Sequence, residues 1–108
     1  MEKKLMIIAD QSEISKTILK SILDEEFDIL DASSFKEMYQ LFNDHKNDVS
    51  LCLIDYKLIN EATNKAKNLS ILSYLKSISK IPFIFMTPSV NSVMKNAIKD
   101  GAFSIITK

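Results

Sequence analysis

Short unbroken apolar runs, separated by stretches of helical period, constrain this chain more than any other feature. The runs at 4–10 (KLMIIAD), 50–55 (SLCLID), 81–87 (IPFIFMT) and 102–107 (AFSIIT) are strand-sized. Continuous rather than alternating apolarity marks strands buried on both faces of a parallel sheet. A fifth segment, 27–32 (FDILDA), alternates and is predicted as a half-exposed edge strand. Between the strands the apolar spacing predicts four helices. The first, 13–25, has Ser12 as N-cap and a stripe of Ile14, Ile18 and Ile22 with Leu19 and Leu23 one step round. The second, 34–45, carries Phe35, Met38, Tyr39 and Phe42. The third, 64–79, carries Ile71, Tyr74, Leu75 and Ile78, and the fourth, 89–100, carries Val90, Val93, Met94 and Ala97 ahead of a C-cap at Gly101. All four stripes are read as core.

Strand and helix alternate without a repeat or a linker, so the 108 residues are expected to form one α/β domain over 1–108. Right-handed crossovers restrict such a chain to few topologies. The flavodoxin-like, doubly wound five-stranded parallel sheet in the order 2-1-3-4-5 suits an edge strand early in the chain. That order makes strands 1 and 3 neighbours and places the topological switch point at their carboxyl ends. Asp10 and Asp55 stand at those two ends.

Composition removes several function classes. Fourteen basic residues balance fourteen acidic ones and no basic stripe is present, so nucleic acid is not expected as a direct partner. The apolar runs are far shorter than the roughly 20 residues a membrane helix needs, and a cytoplasmic protein without membrane contact is expected. Cys52 is the only cysteine, which excludes an internal disulfide, and it reads as a small buried hydrophobe. His45, the only histidine, sits among polar residues at a predicted helix end. A chain whose only glycine is Gly101 cannot carry a P-loop or a dinucleotide fingerprint.

Two carboxylates at one sheet rim repel unless a proton or a cation mediates. Mg²⁺ suits them, because it takes one or two carboxylates together with phosphate and water. The fourth strand ends in Thr87, a hydroxyl, and the fifth is followed by Lys108, an ammonium suited to a phosphoryl group. Metal site, acceptor, hydroxyl and counter-charge are the parts needed to hold a phosphoryl group on a carboxylate.

With these parts in order, the sequence resembles the receiver domain of two-component response regulators over essentially its whole length. The resemblance is carried by MIIADQSEISKTILKSIL, LCLIDYKL, PFIFMT and KDGAFSIITK. It implies a phosphorelay signalling protein rather than an enzyme, phosphorylated on Asp55 by a histidine kinase and passing a conformational change to a C-terminal output domain or partner protein. It further implies a metal site of Asp10, Asp55 and the Lys57 carbonyl, with Thr87 and Lys108 contacting the phosphoryl group.

Several positions depart from the family pattern. Gln11 stands where a second acid is usual, and losing that charge about 4 Å from a divalent ion in a water-like dielectric weakens binding by about 2 kcal/mol, or roughly thirtyfold. Weak Mg²⁺ binding is therefore expected. Pro88 stands where a backbone N–H usually contacts the phosphoryl oxygens and has none to offer. Ile59 replaces a proline, and Ile105 replaces the aromatic residue that commonly moves with the threonine. The chain ends at Lys108, before the family's fifth helix, so that either it is a fragment of a longer protein or something else covers one face of the sheet; exposed apolar surface and a homodimer are expectations. The competing reading is a pseudo-receiver, an interaction module little switched by phosphorylation. A phosphohydrolase of the haloacid dehalogenase type, with Asp55 as nucleophile, would need an acid where Lys57 stands.

Overall fold

The computed structural model describes residues 3–59, 74, 77, 81–87 and 104–107. In chain order these form β1 (Lys4–Ala9), α1 (Glu13–Leu23), β2 (Phe27–Ala32), α2 (Phe35–His45), β3 (Val49–Asp55), a short α3 (Tyr56–Ile59), β4 (Phe83–Thr87) and β5 (Ser104–Thr107). All strand pairings are parallel, and the sheet order is β2-β1-β3-β4-β5. The flavodoxin-like arrangement inferred from the alternation of elements is the one observed.

Each element follows from its residues. Ser12 and Ser34 are the N-caps of α1 and α2, their hydroxyls accepting the N–H of Ser15 and of Glu37 at 3.1 Å in each case. Each cap satisfies one donor that a helix start leaves over. β1 and β3 are buried along most of their length, as continuous apolar runs require, while β2 lies at the sheet edge with intermediate burial. β4 begins at Phe83, two residues later than the apolar run suggests, because Pro82 has no N–H to enter the ladder. Its carbonyl still accepts the Cys52 N–H at 3.1 Å.

The sheet separates two cores. On one face Ile7, Ala9, Cys52, Ile54, Phe83 and Phe85 pack with Phe35, Met38 and Phe42 of α2 and with Tyr56 and Leu58 of α3. Phe42 stacks on Phe83 with centroids 6.0 Å apart, so α2 is anchored to the sheet centre. On the other face Met6, Ile8, Leu53 and Met86 form a smaller core against Leu19 and Leu23 of α1.

The α1 stripe corrects the sequence expectation. Ile14, Ile18 and Ile22 are 75%, 53% and 66% exposed, and only Leu19 and Leu23 turn to the sheet. The reason lies with two lysines. Lys16 is 3% exposed and donates to Ser33 Oγ just beyond β2, and Lys20 Nζ meets Asp31 Oδ2 of β2 at 2.8 Å. These contacts fix the roll of the helix, with Lys16, Leu19 and Leu23 as its inward line at the i, i+3, i+7 spacing.

A second correction concerns Tyr74, expected in the core and found 58% exposed. Tyr74 and Ser77 are helical, and the Ser77 hydroxyl donates to the Tyr74 carbonyl at 2.7 Å. The remainder of the predicted 64–79 helix and the whole of the 89–100 helix lie outside the described residues, as do Pro88, Gly101 and Lys108.

Candidate phosphoacceptor site at the switch point

The site is built from the ends of the two central strands. In the β1–β3 register Ala9 pairs with Ile54, so Asp10 and Asp55, the next residue on each strand, stand side by side on neighbouring chains. Neighbouring strands lie about 4.8 Å apart. Both carboxylates are buried, Asp10 completely and Asp55 at 3% exposure.

Local turns hold each side chain. The Asp10 N–H donates to the Ala32 carbonyl at 3.0 Å, tying the end of β1 to the end of β2. Asp10 Oδ1 accepts the Ser12 N–H at 2.9 Å, which orients the carboxylate immediately ahead of the α1 N-terminus. The partial positive charge of that terminus favours an anion there. Asp55 Oδ1 accepts the Lys57 N–H at 3.1 Å, the same side chain to i+2 pattern. The backbone after Asp55 is pinned by Tyr56, which is 5% exposed and meets Phe85 edge-on at 5.4 Å. The Asp55 carboxylate thus leaves the sheet on a braced turn.

The other sequence candidates distribute unevenly. Asp55 pairs in register with Met86, so Thr87, the last residue of β4, ends its strand at the same rim. Thr87 in turn pairs with Thr107, the residue before Lys108. Ile105 falls within β5, opposite Phe85 in the register. Gln11 is exposed in the bend that follows Asp10.

The donor chemistry suits a hard divalent cation. Two buried carboxylates on adjacent strands, with the Lys57 backbone close behind, are oxygen donors of the kind such a cation takes. Among the described residues no group of three or more Asp, Glu, His or Cys side chains is gathered. The described residues thus bring two carboxylates to the rim, and Mg²⁺ is commonly held by one or two carboxylates together with water and phosphate.

Lys16 is the residue that sequence reasoning missed. Its ammonium is buried beside the β1–α1 turn, paired with Glu13 Oε1 at 2.9 Å and bonded to Ser33 at the start of the β2–α2 turn. The available signal was the Glu13 to Lys16 spacing, since opposite charges at i, i+3 meet on a helix. Elsewhere, a cleft of about 250 Å³ lined by Asp31, Glu37, Gln40, Leu41 and Asp44 lies between β2 and α2 and shares no residue with the rim.

No family model matches the chain, and no curated protein matches it in sequence. Solved structures do. A response regulator receiver domain protein from Clostridium thermocellum superposes with a TM-score of 0.78 at 21% identity, covering 97% of this chain and 82% of that one. The chain has the response regulator receiver fold. The CheX–CheY complex with BeF₃ and Mg²⁺ from Borrelia burgdorferi carries the receiver fold at a TM-score of 0.74 and 19% identity, over 97% of this chain and 78% of that one. A response regulator from Burkholderia pseudomallei with a phosphorylated aspartic acid, a calcium ion and citrate matches at a TM-score of 0.77 and 19% identity, over 98% of this chain and 60% of that one. Among the described residues of this receiver fold no helix is long and apolar enough to cross a membrane.

Proposed function

We propose that residues 1–108 form a receiver domain in a two-component phosphorelay, which accepts a phosphoryl group on Asp55 from a histidine kinase and relays the change to an output domain or partner protein. The observation that carries this reading is the register of β1 and β3, which sets two buried carboxylates side by side at the switch point. Two carboxylates buried side by side disfavour one another's charge, and a cation bound between them relieves that repulsion.

The reaction is a phosphoryl transfer. Asp55 Oδ1 accepts the Lys57 N–H, which holds the carboxylate in one rotation, and a carboxylate oxygen of Asp55 is the attacking atom. An O–P bond forms as the P–N bond of the kinase phosphohistidine breaks, and the released imidazole takes up a proton. Asp10, Asp55 and the Lys57 carbonyl would hold Mg²⁺, which would supply positive charge against the phosphoryl oxygens. Thr87 and Lys108 bond the phosphoryl oxygens. The group brings roughly −1.5 to −2 charge, enough to bias a two-state element at the rim. The calcium ion and phosphorylated aspartic acid of the Burkholderia neighbour, and the Mg²⁺ of the Borrelia complex, support this reading by likeness of fold.

The test is intact-mass analysis after incubation with a small phosphodonor and Mg²⁺. One phosphoryl group should be added, and it should be absent from Asp55→Asn and after metal chelation. Addition that persists in Asp55→Asn removes Asp55 from the role. Gln11 favours a second reading, since an exposed amide in place of a carboxylate lowers the charge at the ion. On that reading the domain is a pseudo-receiver that serves as an interaction module, and no metal concentration yields a phosphoryl adduct.

A further inference from the structure

The fold holds Asp10 and Asp55 in different ways. Asp55 is the last residue of β3 and pairs in register with Met86, so the ladder fixes its backbone. Asp10 lies one residue past β1, whose pairing with β3 ends at Ala9 and Ile54. Like charges push apart, so a buried carboxylate beside Asp55 needs a hold beyond that ladder. A closed ring of bonds supplies it. Asp10 Oδ1 accepts the Ser12 N–H at 2.9 Å, and the Ser12 carbonyl accepts the Lys16 N–H at 3.1 Å. The buried Lys16 ammonium reaches across to Ser33 Oγ, and Ala32, the residue before Ser33, accepts the Asp10 N–H at 3.0 Å. Carboxylate and backbone of Asp10 are thus both tied to Lys16, the first through the start of α1 and the second through the end of β2. Apart from the Asp10 carboxylate itself, backbone groups make the other links, so the bond from the ammonium to Ser33 is where side chains close the ring.

We propose that Lys16 is a positioning residue for the candidate metal site: through Ser33 it holds the Asp10 carboxylate beside Asp55, where the two can share a divalent cation. This role rests on the receiver reading for the identity of the ion, Mg²⁺, and on the ring alone for the hold on Asp10.

Charge and position act with opposite signs. Deleting an ammonium near a cation site removes a repulsion and, taken alone, tightens the metal. Releasing a ligand that must be held against a like charge weakens it. Lys16→Met does both, and a positioning role requires the second effect to win. Loss of a group bonded directly to a metal ligand lowers affinity by about 10–100-fold, and Lys16 acts through a further bond, so a loss of about three- to tenfold is expected. Ser33→Ala deletes the acceptor and leaves the charge in place, so its loss should be at least as large. Ser33→Thr keeps the hydroxyl and should match the parent.

Calorimetric Mg²⁺ titration of the 108-residue chain and its folded variants tests the affinity, and amide NMR of the metal-free proteins tests the ring. Val49→Ala is the control. It lies buried at the start of β3, at the other end of the strand from Asp55, and should cost stability through lost packing without changing Mg²⁺ affinity. In metal-free Lys16→Met and Ser33→Ala the amide protons of Asp10 and Ser12 should move towards the positions of unbonded amides, and in Val49→Ala and Ser33→Thr they should stay in place. Unchanged or tighter Mg²⁺ binding by Lys16→Met overturns the positioning role and leaves the receiver reading intact, as does a loss in Val49→Ala equal to that in Ser33→Ala. A parent that binds no Mg²⁺ removes the ion from the receiver reading, and the amide shifts then decide the hold on Asp10 by themselves. Asp10 and Ser12 amides that stay in place in both Lys16→Met and Ser33→Ala overturn it.

Discussion

Lys16→Met is the substitution whose outcome the structure defines most closely. Methionine retains the apolar stem and deletes only the ammonium, which is 4% exposed in its side chain and touches two partners of different character. One is Ser33 Oγ, at the start of the β2–α2 turn. The other is Glu13, whose side chain is 78% exposed. A hydrogen bond from a buried charged donor is worth about 1.5–3 kcal/mol. An ion pair with one partner in water contributes at most about 1 kcal/mol and is screened by salt. Removing the ammonium also relieves its desolvation, which offsets part of the loss. The net cost of Lys16→Met should be about 1–2 kcal/mol, against about 0.5 kcal/mol or less for Glu13→Gln. Lys16→Ala deletes three further methylene groups and should add roughly 2 kcal/mol. Urea unfolding followed by circular dichroism at low and high salt resolves these values, since a domain of this size has a slope of about 1–1.5 kcal/mol per molar urea. Only the Glu13→Gln effect should shrink with salt. Equal costs for Glu13→Gln and Lys16→Met, or a neutral Lys16→Met, would refute the assignment of Lys16 as a buried brace between the two turns.

Two substitutions, one next to Asp10 and one next to Thr87 in the sequence, should act on different partners. Gln11→Asp should tighten Mg²⁺ by about tenfold or more in a calorimetric titration, from restored charge about 4 Å from the ion. Pro88→Ala should leave Mg²⁺ affinity unchanged and raise the yield of phosphorylated protein seen by intact mass. Burial pushes the Cys52 thiol up from its ordinary value, so native protein should label with a thiol reagent only as fast as the chain opens. The folded thiol ionises at higher pH than the unfolded one. Its contribution to stability is therefore full below the ordinary thiol value of about 9 and declines as pH rises beyond it, a slope that Cys52→Ala should flatten.

Periodicity located the sheet and its order because unbroken apolar runs can be buried on both faces in few ways. The alternating segment at 27–32 located the edge strand by the same logic, and Asp10 and Asp55 were legible because a carboxylate that ends such a run falls at the rim. Helix roll was not legible. Residues 14, 18 and 22 carry a more apolar line than 16, 19 and 23, yet the second line turns inward. What decides between them is the reach of Lys16 to Ser33 and of Lys20 to Asp31, contacts spanning 17 and 11 residues that no local period encodes. Burial of a lysine depends on a partner that only the fold supplies. The short α3 went unread for a related reason. One helical turn has no period of its own, and it is held by Tyr56 against Phe85 and by Leu58 in the larger core.

The position of β1 also bears on how the polypeptide emerges from the ribosome. Strands 2 and 3 both build on β1, so residues 4–55 contain a contiguous three-stranded unit with α1 and α2 already packed against it. That unit can condense while later residues are still being synthesised, since nascent chains fold from the N-terminus. Growth beyond β3 then runs in a single direction, with β4 adding to β3 and β5 to β4. Asp55 closes the early unit, and Thr87 arrives with the late one. The acidic half of the rim would thus be assembled before the half that carries Thr87. Pulse-labelling hydrogen exchange during refolding should find amides of β1 and β3 protected ahead of those of β4.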